Sequence, residues 1–139
     1  TDYSKLRDSL RSLDGQLRNY EGAAARAELT EMDREAIRDS AVKRFELAFE
    51  MSWKFLKRYL TEDLGLAETP NSPKPILRVA AENQLLGDQI DDWLQYADAR
   101  VATSHDYSGE KAVATLQVAP RFLVAAIRLY EVMTGEVWT

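Results

Sequence analysis

The sequence predicts an all-α protein, an up-and-down bundle of four to five helices, and three observations support it. Apolar residues recur at spacings of three and four through most of the chain. No stretch shows the strict alternation of a half-buried strand, and there is no glycine-rich phosphate loop, internal repeat or low-complexity tract. Turn-forming residues also punctuate the periodic segments at intervals suited to helical hairpins. With 139 residues, the whole of 1–139 is expected to form a single domain with one core.

The first helix is expected from about Tyr3 to Ala27. Leu6, Leu10, Leu13, Leu17 and Tyr20 draw an apolar seam, and Ala23, Ala24 and Ala25 are strong helix formers that outweigh Gly22. The second carries Val42, Phe45, Phe49, Ser52, Leu56 and Tyr59 on one stripe, widened by Ala48, Met51, Trp53 and Phe55, so it should touch several neighbours. Its polar positions Lys43, Arg44, Glu46, Glu50, Lys54, Lys57 and Arg58 include the pairs Glu46/Glu50 and Glu50/Lys54 and read as a solvated face. Gly65 and Pro70 break the period. A short third helix then opens with Ser72 as N-cap and Pro73 in the first turn, and is expected to close at Gly87.

The fourth helix is marked by Ile90, Trp93, Leu94, Ala97 and Val101, and should end near Ser104 or His105, because Asp106, Ser108 and Gly109 are turn residues. In the last segment Val113, Leu116, Leu123, Ile127 and Tyr130 keep register across Pro120. That favours one kinked helix, with a helix opened at the proline as the alternative.

Composition narrows the chemistry. The chain has no cysteine and one histidine, so disulfides and thiolate chemistry are excluded and a dedicated metal cage is not expected. A net charge of −5 argues against a broad basic surface for duplex DNA but leaves room for a local basic site. No run approaches the roughly 20 apolar residues of a membrane span, and the start lacks the apolar centre of a signal peptide. A cytoplasmic protein that does not engage membranes is the expectation.

The histidine lies in "ARVATSHDYSG", residues 99–109, with Arg100 before it and Tyr107 after it. On a continuous helix five residues turn through about 500°, which would set His105 about 140° round from Arg100. The two can cooperate only if the helix ends before His105. The imidazole could then transfer protons near neutral pH, while the guanidinium holds phosphate and stabilises charge on phosphoryl oxygens. The pair suits metal-free RNA cleavage by the ribose 2′-hydroxyl. One pair is sparse for two proton transfers, and a symmetric dimer placing two copies in one cleft would supply the rest. Without further context, a surface histidine and arginine at a helix end are the simpler reading.

The segments "RFELAFEMSWKFLKRYL", "SPKPILRVAAENQLL" and "WLQYADARVATSHDY" occur in that order and together resemble the HEPN superfamily. They look most like its nucleotidyltransferase substrate-binding members, which pair with minimal nucleotidyltransferases (MNT) as toxin and antitoxin. The resemblance spans about residues 40 to 130, and Arg100, His105 and Tyr107 match the family's arginine–histidine–tyrosine motif with four residues between the first two. It implies a HEPN-like dimeric bundle with a metal-independent endoribonuclease site, Arg100 and His105 working on RNA. It also implies that the partner transfers AMP to the tyrosine, here Tyr107, and so blocks the groove with added bulk and charge. No cofactor of the chain's own is implied, since ATP and magnesium belong to the partner's reaction. Relatives commonly carry a polar residue directly after the arginine, where this chain has Val101. Either Val101 packs into the bundle and Asp98 or Ser104 takes the polar role, or the site serves as a docking surface.

Overall fold

The computed structural model describes residues 1–104 and 109–139, and these form five helices. They are α1 (Ser4–Ala23), α2 (Glu31–Glu62), α3 (Pro73–Glu82), α4 (Ile90–Ser104) and α5 (Gly109–Thr134). No strand occurs among the described residues. The bundle is organised by α2, which packs against each of the other four helices, as its wide apolar face leads one to expect.

The seam of α1, Leu6, Leu10, Leu13 and Leu17, is buried against α2 and α5. The helix stops at Ala23, short of the expected Ala27. The cause is tertiary: Arg34 of α2 donates from Nη2 to the Arg26 carbonyl at 2.8 Å and from Nε to the Ala23 carbonyl at 3.4 Å. Capture of these carbonyls by a side chain favours a turn over further helix, whatever the propensity of Ala24 and Ala25. After this turn, α2 begins with a reciprocal cap. The Asp33 amide donates to Thr30 Oγ1 at 3.0 Å, and the Thr30 amide donates to the Asp33 carboxylate at 2.9 Å.

Ser72 stands at the N-cap of α3 as expected, but its hydroxyl makes no capping hydrogen bond. A capping hydroxyl accepts from the second or third amide of the helix, and the third position is Pro75, which has none. The other end corrects the expected stop at Gly87. The Leu85 amide donates to the Ala80 carbonyl at 3.0 Å and the Gln84 amide to Ala81 at 3.1 Å, with Gln84 in the left-handed region at φ 58°. This is a Schellman closure around Gln84, and it ends the helix at Glu82.

One aromatic cluster joins α2, α4 and α5. Phe122 of α5 is edge-on to Phe45 at 5.2 Å, to Tyr96 at 5.6 Å and to Trp93 at 5.7 Å. Pro120, two residues earlier, lies inside α5, which continues through it as one helix, because the buried residues on both sides remain on the core face. Contrary to the expectation from sequence, α5 is by length and composition apolar enough to cross a bilayer; half of that window is packed inside the bundle, as in a core helix.

Candidate functional site

The geometry is set by two helices. Glu46 and Glu50 are one turn apart on α2 and face Arg100 of α4. Arg100 Nη1 donates to Glu46 Oε2 at 2.8 Å, and the Thr103 hydroxyl lies 3.2 Å from the same oxygen. Thr103 Oγ1 is also 3.1 Å from the Arg100 carbonyl, so its single proton serves one acceptor at a time. On the other edge of the guanidinium, Nε is 3.3 Å from Glu50 Oε1. That contact is electrostatic, since Nε is buried and its N–H is not aimed into a hydrogen bond. Glu50 is steadied separately: Trp53 Nε1 donates to its other oxygen at 3.1 Å, and Lys54 lies 3.9 Å away.

This arrangement corrects the reading of the α2 polar positions as a solvated face. Glu46 is only 4% exposed and sits between α2 and α4, with its charge compensated by Arg100. The signal for it was present in the sequence, since Glu46 directly follows Phe45 and precedes the buried Ala48 and Phe49, within the arc of the apolar face.

Arg100 opens onto a cavity of about 390 Å³. Its walls are Phe49 and Glu50 of α2, the 72–75 segment that begins α3, and Ala97, Arg100 and Val101 of α4. Val101 does not pack into the bundle; it is 62% exposed at the cavity's edge. Asp98 is exposed and forms an ion pair with Lys74, tying α4 to α3 beside the cavity. Asp98 therefore holds a second cation at the rim rather than meeting Arg100 directly.

Ser104 is the last described residue of α4. The Ser104 side chain, His105 and Tyr107 lie outside the described residues. Beyond them Gly109 begins α5, and a Cβ there would lie 3.0 Å from Arg38 Nη1. Arg38 of α2 thus lies against the start of α5, paired with Asp39 at 3.1 Å. Nothing in the local sequence pattern separates Arg38 from other surface arginines.

The fold and site together define a HEPN-like helical protein built around a motif arginine at the end of its fourth helix. The chain belongs to the family described as nucleotidyltransferase substrate binding protein like, whose model matches residues 1–135. It is 37% identical over 97 residues to the probable ribonuclease HepT of Haemophilus influenzae, an alignment covering 66% of this chain and 63% of that protein. The chain thus spans somewhat under two thirds of that relative's length. A solved Haemophilus influenzae structure, described as the fold of a substrate binding domain of a nucleotidyltransferase, matches with a TM-score of 0.80 and 28% identity, covering 95% of this chain and 98% of the other. A solved protein of Thermus thermophilus matches with a TM-score of 0.67 and 30% identity, covering 88% of this chain and 98% of the other.

Proposed function

We propose that this chain is a metal-independent HEPN ribonuclease that acts as the toxin of a pair with a minimal nucleotidyltransferase. The observation that carries the reading is the placement of Arg100, oriented by carboxylates on α2, facing an open cavity one turn before the end of α4. The similarity to a probable ribonuclease HepT supports the activity, and the family supports the partner.

In the proposed reaction the ribose 2′-hydroxyl attacks the adjacent phosphorus and the bond to the 5′-oxygen breaks, leaving a cyclic phosphate and a 5′-hydroxyl. Arg100 binds the phosphate and stabilises the charge that builds on its oxygens. His105 moves protons. In a homodimer that brings two motifs together, one imidazole accepts the proton of the attacking hydroxyl and the other protonates the leaving oxygen. Transfer of AMP to Tyr107 by the partner would fill the groove and set negative charge where the RNA phosphate must lie.

The test is RNA cleavage by the chain expressed without its partner, in the presence of a chelator. Arg100→Ala and His105→Ala should abolish cleavage, and an AMP mass should appear on the Tyr107 peptide after co-expression with an active nucleotidyltransferase. A second reading, a non-catalytic substrate-binding subunit, is favoured by the exposed apolar edge at Val101. It predicts partner binding with no cleavage by the parent chain.

A further inference from the structure

We infer that the two carboxylates on Arg100 have different roles: Glu46 is a permanent positioning residue for the guanidinium, and Glu50 is an exchangeable counter-ion occupying the edge that an incoming phosphate takes. The inference rests on the reading of Arg100 as the phosphate-binding group.

The two contacts differ in every respect that decides exchange. Glu46 is almost fully buried, bonds Nη1 at 2.8 Å and has the Thr103 hydroxyl 3.2 Å from the same oxygen. Separating that pair would take the guanidinium from a buried carboxylate, which is strongly unfavourable. Glu50 has a side chain 28% exposed, lines the cavity, and lies 3.3 Å from an Nε whose N–H is not aimed at it. A partly exposed ion pair of that kind is weak.

A guanidinium offers phosphate a planar edge of two parallel N–H groups. With Nη1 committed to Glu46, the edge that includes Nε is the one left, and Glu50 is the carboxylate beside it. Glu50 also keeps Trp53 Nε1 at 3.1 Å and Lys54 at 3.9 Å, so it retains partners when Arg100 turns to phosphate. Lys74 also lines the cavity, its ammonium paired with Asp98. Glu50 thereby covers the Nε edge of Arg100 in the absence of substrate and competes with the phosphate that replaces it.

The experiment follows the Arg100 Nε–Hε resonance by NMR while inorganic phosphate is titrated into the parent dimer or monomer as it purifies, and into Glu50→Gln and Glu46→Gln. Glu50→Gln should bind phosphate roughly three- to tenfold more tightly, the range expected from removing a partly exposed competing charge, with little change in thermal midpoint. Glu46→Gln should weaken binding, broaden the Arg100 resonance and lower the midpoint. If it does not fold, Glu46→Asp, which keeps the charge but shortens the reach, should give the same loss of Arg100 order. Phosphate affinity unchanged or reduced in Glu50→Gln overturns the inference, as does an unaltered Arg100 resonance in the Glu46 variant. RNA cleavage by the same proteins keeps the two ideas apart: the split in phosphate affinity without cleavage by the parent removes the ribonuclease reading and leaves this inference standing, whereas cleavage without the split does the reverse.

Discussion

At the scale of single residues, Arg100 shows how a side chain of ordinary type becomes a candidate catalytic group. Its charge is fixed by chemistry, but its direction is fixed by Glu46, which the surrounding apolar residues draw into the interior. Arg100 was singled out by the motif together with the segments around it; Glu46, although it lies within the arc of the apolar face, was read as surface because Lys43, Arg44 and Glu50 flank it. Residues also set pH behaviour. The amide of Thr30 donates to Asp33 and holds its carboxyl below the ordinary value of 3.8. A lowered folded-state value means that the charged cap stabilises the fold above 3.8 and that this contribution is lost as pH falls through the folded value. Asp33→Asn should therefore lower the thermal midpoint at neutral pH, with the gap between parent and variant closing as acid titrates the carboxylate. A gap that stays constant through the acid range would count against the cap.

At the scale of elements, the existence and order of the helices followed from apolar periodicity, while their ends followed from contacts that periodicity cannot register. The alanines after Gly22 predict more helix, yet Arg34 reaches back from α2 and takes the Arg26 and Ala23 carbonyls. Gly87 looked like the terminator of α3, yet Gln84 adopts the left-handed conformation first, closing the helix on Ala80 and Ala81. A glutamine carries a steric penalty there that glycine avoids. Gln84→Gly should stabilise the protein by about 1 kcal/mol, measured by denaturant unfolding, because C-terminal closure sits at that position. Destabilisation would mean that the closure is not held by the backbone at Gln84. Pro120 makes the complementary point, since unbroken burial on both sides of it keeps α5 a single helix.

At the scale of the whole molecule, α2 is the frame. It meets every other helix, carries Phe45 and Phe49 of the aromatic cluster and, one residue further along from each, the carboxylates that orient Arg100. Core and site therefore share one element, and the site's precision depends on packing that the aromatic cluster provides. Phe122, in contact with rings from α2 and α4, is its keystone. Phe122→Ala should cost about 3–5 kcal/mol of stability in denaturant unfolding, the range for deleting a buried phenyl ring from a core. A loss below about 1 kcal/mol would show that α4 and α5 are held together by other contacts. The fold class and the order of the helices were readable from sequence because each helix repeats a local apolar pattern. The cavity between α2, α3 and α4 was not, since it is made by segments brought together only on folding.

The central claim is that Arg100 and His105 cleave RNA without a metal. The measurement that bears on it most directly is the rate of RNA cleavage by the isolated chain in excess chelator, for the parent, Arg100→Ala and His105→Ala. The account predicts cleavage by the parent and a loss of roughly a hundredfold or more in either variant, as expected when a group that stabilises or protonates the transition state is removed. An inert parent, or alanine variants that cut RNA as fast as it does, would contradict it.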